Sequence, residues 1–273
     1  MRYFIEFGGG LGDIFAEVMS RGAYQTLSYL ASDDTVEIVL VTHNSQAHEL
    51  FKWHPNRRQF TIHDHGYCIC GTEKEYRAKY ELTGLYGLKL PRLPQTRSAS
   101  VVFYPSPDDT AILDSLPPQY IAVALGAGTT DRFIPLPLAE RIISKLLESG
   151  SYVVLIGKNY DRSGRKEPVP NISHANLTNL IDRLSVPGTA LMLQRAGGLF
   201  TSHSASNLLG WYFRKPQLLL YPESVVARHG MSIEHHDSWS FGVVFPETVH
   251  SRFDNYRPDM LDKFLSIIRD PEE

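Results

Sequence analysis

Three short stretches of the chain combine residue types that bind anions or move protons. The first is Gly8-Gly9-Gly10-Leu11-Gly12-Asp13, which follows the apolar run Tyr3–Phe7. Behind it, Phe15, Val18, Met19, Ala23, Leu27 and Leu30 recur at the spacing of a buried helix face. Glycines there permit positive φ and close approach of a ligand to the backbone. The start of the following helix offers unpaired N–H groups and a dipole that favours anions. Asp13 stands where turn becomes helix, and two roles are open to it: a helix N-cap, or a carboxylate that acts as a general base. The second stretch is Gly126-Ala127-Gly128-Thr129-Thr130, with Arg132 just beyond. It lies between a strand and a helix, where backbone amides and small hydroxyls hold phosphate and an arginine neutralises a diphosphate. The alternative is a plain tight connection. The third is Ser202-His203-Ser204-Ala205-Ser206-Asn207, again at a helix start. It serves either as a second anion site or as a set of competing N-caps. Two such turns at the carboxyl ends of strands lie where open α/β sheets bind their ligands.

The elements that must position these residues alternate. Val36–Val41 is a β-branched strand, Ala47–Trp53 a short helix, Gln59–His63 a weaker strand and Ser100–Tyr104 another. Residues 66–97 carry no clear period. Tyr104–Pro118, with four prolines among Asp and Ser residues, reads as a linker. The alternation then restarts with strand Tyr120–Leu125, helix Leu138–Glu148 stopped by Gly150, and strand Tyr152–Ile156 closed by Gly157. Asn176–Leu184 and Pro187–Ala196 read as helices, Leu199–Ser202 as a strand, Ala205–Phe213 as a helix and Gln217–Tyr221 as a strand. After an irregular region, Glu223–Asp259, a last helix covers Met260–Ile268. The expected fold class is therefore α/β, with two Rossmann-like domains at 1–117 and 118–273 meeting at a cleft.

Composition narrows the function. The 273 residues are 42% hydrophobic and 21% charged, as in ordinary globular proteins, and suffice for two domains. A net charge of −3 gives no general attraction to nucleic acid or anionic lipid. No apolar run reaches membrane-spanning length, no signal peptide is expected from the residues Tyr3–Phe7, and Cys68 and Cys70 read as free thiols. A cytoplasmic protein without integral membrane contact is expected. From Lys52 to Arg97 nine Lys/Arg face four acids, mostly a solvated surface but also a local excess that would attract a phosphorylated ligand. His229, His235, His236 and Asp237 could ligate a metal, but a polar loop is the expectation and no metal is assigned. The opening turn departs from the dinucleotide fingerprint. Gly8-x-Gly10 is present, but Asp13 takes the third glycine's place and Thr42-His43 ends the second strand where an acid is required.

The order of elements resembles the ADP-heptose–lipopolysaccharide heptosyltransferase family, inverting glycosyltransferases of GT-B architecture. The similarity covers residues 1–40 and 118–222: the opening through Gly12-Asp13-Ile14, the strand and turn Tyr120–Gly128, Arg132-Phe133-Ile134-Pro135, Tyr152–Gly157 with Asn176-Leu177, and Ala196–Pro222. The resemblance implies that Asp13 is the catalytic base, with Gly10 and Gly12 beside it. It implies a nucleotide-diphosphate sugar, as donor substrate rather than cofactor, against Gly126, Gly128, Thr129, Thr130, Arg132, Gly157, Ser202, His203, Ser204 and Asn207. The acceptor would be a glycan or other hydroxyl compound, and the terminal helix would pack back across the cleft. In the family the last block reads Asp-Ser/Thr-Gly with His three residues later; here Ser202-His203-Ser204 and Asn207 take those places. Two alternatives follow: a non-catalytic nucleotide-sugar-binding protein, or a glycosyltransferase acting on modified nucleic acid bases.

Overall fold

The computed structural model describes residues 2–7, 31–42, 48–64, 85–87, 102–160, 164, 166, 169–225 and 248–269. Gly10, Gly12, Asp13, the helix expected behind them and the His229–Asp237 cluster lie outside the described residues. The chain forms two compact units, Met1–Ser106 and Pro107–Glu273.

The first unit holds a parallel sheet of β1 (Arg2–Phe7), β2 (Glu37–Thr42), β3 (Phe60–Asp64) and β4 (Leu85–Gly87), in the order β3-β2-β1-β4. Its strand order reverses direction at β1, so the chain leaves Phe7 at a switch point of the sheet. Ile38, Val39 and Leu40 of β2 are buried, as expected of a strand in a parallel sheet. The short α1 (Glu49–Lys52) buries Leu50 and Phe51, and Phe51 packs on Phe60 with ring centroids 5.2 Å apart. His54 sits edge-on between Phe60 and Tyr104, and its burial pulls the imidazole pKa down.

The second unit opens with α2 (Pro107–Asp114) and continues through β5 (Ile121–Ala124), α3 (Leu136–Glu148), β6 (Val153–Ile156), β7 (Leu177–Asn179) and α4 (Val186–Arg195). It ends with β8 (Gly198–Ser202), α5 (Ala205–Tyr212), β9 (Gln217–Tyr221), β10 (Thr248–Arg252) and α6 (Pro258–Arg269). All six strands are parallel, in the order β10-β9-β8-β5-β6-β7. Counted within the unit this is the doubly wound order 6-5-4-1-2-3, and its switch point lies between β5 and β8. Every residue of β5, β6, β8 and β9 is buried, because helices cover both faces of the sheet.

On one face α3 buries Leu138, Ala139, Ile142, Ile143, Leu146 and Leu147, in a core shared with Val123, Phe200 and Leu220. Each buried Leu or Ile side chain among them contributes roughly 1.5–3 kcal/mol. Packing therefore holds α3, since Pro135 at its N-cap makes no side-chain cap bond. The helix α6 seats Leu261, Phe264 and Leu265 in the same core. A Cβ on Gly198 would collide with Ile268 and Phe264, so α6 lies flat on β8. The apolar face of α6 is thus spent on its own sheet. On the other face Trp211 of α5 packs with Leu219 and Tyr221.

Four expectations change. The stretch Tyr104–Pro118, read as a linker, contains α2, whose Leu113 is buried and whose buried Asp109 accepts bonds from Ser185 N–H (3.0 Å) and Oγ (2.5 Å). Pro107 at its start is compatible with a helix, because the first N–H has no intrahelical partner in any case. The helix expected at Asn176–Leu184 is instead strand β7 at its beginning, paired with β6. Val102–Tyr104, the described part of the strand expected at Ser100–Tyr104, is not a strand. Inside the irregular region after Tyr221, β10 forms with Val249 and Ser251 turned inward. Among the described residues no helix is long and apolar enough to cross a membrane.

Candidate functional site

At the switch point the turns after β5 and β8 leave neighbouring strands and meet. The β5 turn passes through Gly126–Thr129 into a 3-10 turn, Thr130–Arg132, and Ile134 N–H closes it on the Leu125 carbonyl at 3.1 Å. Gly126 has no room for a side chain: a Cβ would lie 2.6 Å from the Lys158 carbonyl oxygen and 2.9 Å from the Phe133 ring. Glycine is needed here so that the β5 turn can pack on the loop after β6. That loop begins at Gly157, whose φ of +96° itself calls for glycine. Gly157 also accepts a bond from Asp182 N–H at 2.9 Å.

The β8 turn is fastened to the β5 turn at two points. Ser202, fully buried, donates its hydroxyl to the Gly126 carbonyl at 3.3 Å. Arg132 donates from Nη1 to the His203 carbonyl at 3.2 Å and from Nε to Thr129 Oγ1 at 3.0 Å. An arginine stays charged at any physiological pH, so this tie puts a permanent positive charge at the crevice. On its other side, Asp131 accepts from Ser224 Oγ beyond β9 at 2.8 Å, and Arg252 at the end of β10 pairs with Glu223. The carboxyl edge of the sheet is thus laced from β5 to β10.

The first turn of α5 is closed by its own residues. Ser204 is the N-cap and its Oγ accepts from Ser206 N–H at 3.3 Å. The Asn207 side chain reaches back, its Oδ1 accepting Ser204 N–H at 2.8 Å, which completes a capping box. Asn207 is fully buried, and Gln217 Nε2 donates to its carbonyl at 3.2 Å. The structure therefore brings Gly126, Thr129, Arg132, Gly157, Ser202, His203, Ser204 and Asn207 to one edge of one sheet, with Gly128 and Thr130 in the same β5 turn. Sequence reasoning missed Lys158, Asp131 and Gln217. Only Gln217 left a signal, as a lone amide at the head of Gln-Leu-Leu-Leu-Tyr.

Burial shifts the titration of groups at the opposite, amino-terminal edge of this sheet. Tyr120 is raised, Tyr212 is pushed up to about 12, and Lys215 is lowered. Among the described residues no group of three or more His, Cys, Asp or Glu side chains could hold a metal ion.

The fold is similar to that of several solved glycosyltransferases. The chain is similar to E. coli ADP-heptose lipopolysaccharide heptosyltransferase II over 100% of both chains, with a TM-score of 0.60 and 12% identity. It is similar to the family 9 glycosyl transferase of Veillonella parvula, with a TM-score of 0.56 and 11% identity over 97% of this chain and 90% of that one. A third likeness is to E. coli heptosyltransferase WaaC bound to ADP-2-deoxy-2-fluoro heptose, with a TM-score of 0.53 and 11% identity over 97% and 99%. No family model matches the chain, and no curated protein matches it by sequence. At these identities the likeness is one of fold.

Proposed function

We propose that the protein is an inverting glycosyltransferase that moves a sugar from a nucleotide-diphosphate sugar to an acceptor hydroxyl. The observation that carries this reading is the meeting of the β5 and β8 turns at the switch point, with Arg132 bridging them, in a chain whose full length follows a heptosyltransferase fold. The diphosphate would lie against Gly128, Thr129, Thr130 and Arg132, with the sugar toward Ser202–Asn207. The acceptor, a glycan or other hydroxyl compound, would be held by the first unit. Its hydroxyl oxygen attacks the anomeric carbon from the face opposite the diphosphate, and Asp13 takes the proton. The bond from the anomeric carbon to the phosphate oxygen breaks, and Arg132 and backbone N–H groups stabilise the leaving nucleoside diphosphate. The reading needs no metal and takes the protein to be cytoplasmic. The basic excess between Lys52 and Arg97 favours an acceptor that carries phosphate.

A thermal-shift screen against ADP, UDP, GDP and their sugars tests donor binding, because a ligand that binds the folded state raises Tm. With a donor in hand, Asp13→Asn should lower kcat by a factor of about 10²–10⁴. Its Tm should stay put, since Asn caps a helix about as well as Asp. Wild-type kcat in Asp13→Asn would leave Asp13 a cap and remove the mechanism. Turnover should also persist in excess EDTA.

A second reading, a nucleotide-sugar-binding protein without catalysis, is favoured by one observation. The Ser202, Ser204 and Asn207 side chains all bond within the protein. Donor binding without turnover on any acceptor tried, in the wild type, would select it.

A further inference from the structure

We propose that Gln217 is a positioning residue that holds Arg132 at the crevice; this rests on the reading of the β5–β8 crevice as the donor site. Gln217 is fully buried at the head of β9, a strand that is otherwise aliphatic or aromatic. Its Oε1 has no hydrogen-bond partner, and neither has Nδ2 of the equally buried Asn207. Leaving buried polar atoms unpaired is costly, and an apolar residue of similar length would avoid the cost at position 217. What the amide does make is a bond from Nε2 to the Asn207 carbonyl, in the first turn of α5. The helix is shaped around it: a Cβ on Gly210 would stand 2.8 Å from Gln217 Cδ and 2.7 Å from Leu199 Cδ2.

From Asn207 the line continues. Its Oδ1 holds Ser204 N–H, and Ser204 is joined through the peptide bond to His203, whose carbonyl receives Arg132 Nη1. Arg132 then holds Thr129 Oγ1. A line of hydrogen bonds and covalent links thus runs from Gln217 to Arg132, the cation that the donor-site reading sets against the diphosphate. If the first turn of α5 rotates, the His203 carbonyl moves and Arg132 loses one of the acceptors that fix its direction. A charge displaced by about 1 Å binds and stabilises a leaving group far less well.

The experiment compares wild type, Gln217→Met, Arg132→Ala and the double variant. It measures Tm, hydrogen exchange at the Ser204 amide, and affinity for ADP, UDP and GDP. Gln217→Met keeps the length and loses the donor. The expected result is an unchanged or higher Tm, Ser204 exchange about tenfold faster, and nucleoside diphosphate binding weakened about 5- to 10-fold. In the Arg132→Ala background Gln217→Met should cost no further affinity, because both act through one group. Unchanged Ser204 exchange, or the same loss of affinity with and without Arg132, overturns the proposal. If the wild type binds no nucleoside diphosphate, the donor-site reading fails, and Ser204 exchange still decides whether Gln217 fixes the turn. Should Gln217→Met not fold, Gln217→Leu takes its place with the same readouts.

Discussion

The turns after β5 and β8 are built of similar residues, lie side by side at one edge of one sheet, and are used differently. After β8, Ser204 and Asn207 close the first turn of their own helix, and Ser202 is buried and bonded to Gly126. After β5, the Thr129 hydroxyl serves as an acceptor for Arg132, so the turn presents a cation. Serines after a strand answer first to the unpaired N–H groups of the helix they begin. On the proposed function, recognition of an anion would fall to the turn that brings its own charge. The difference lies in the partner each side chain finds, which residue type alone does not reveal.

Three substitutions test this division. Arg132→Ala should have the largest effect: loss of a charged donor, worth roughly 1.5–3 kcal/mol, weakens nucleoside diphosphate binding by about tenfold or more. Calorimetric titration reads the affinity, and Tm should fall modestly, because the bonds to Thr129 and to the His203 carbonyl are lost as well. Gly126→Ala comes next, because its methyl group has to displace the Lys158 carbonyl or the Phe133 ring. It should cost about 1–3 kcal/mol of stability by denaturant melts. Ser204→Ala is the smallest, about 0.5–2 kcal/mol for a lost cap, with Ser204→Asp restoring most of it. Because the Ser204 backbone N–H and its bond to Asn207 remain, affinity should hold within about threefold. The comparison breaks if Ser204→Ala weakens binding more than Arg132→Ala does.

Much of the second unit was legible because its period is strong. The α3 face Leu138, Ile142, Ile143, Leu146 and Leu147 and the runs of β5, β6 and β9 admit one interpretation. The short elements were not legible. Three residues, Leu177–Asn179, make a strand only because β6 lies beside them, and local propensity for helix loses to that pairing. The strand β10, Thr-Val-His-Ser-Arg, has one aliphatic residue and is recognised only by the partner it adds to β9. The prolines and aspartates around α2 imitate a linker, while the buried Leu113 and Asp109 belong to a helix. At the candidate site the glycines and hydroxyls stood out in sequence. The reason for Gly126 did not, because the atom that excludes a side chain belongs to Lys158, far along the chain.

The bond between Asp109 and Ser185 decides where the chain can be cut. Asp109 sits at the amino end of α4, so close to Gly188 that a methyl group there would lie 2.5 Å from its carboxylate. That helix is therefore capped by Ser185 and by a side chain contributed from α2. A fragment begun at residue 118 would lack both this carboxylate at the start of α4 and the buried side chain of Leu113. A fragment meant to keep α4 capped should start at Pro107, where the second compact unit begins.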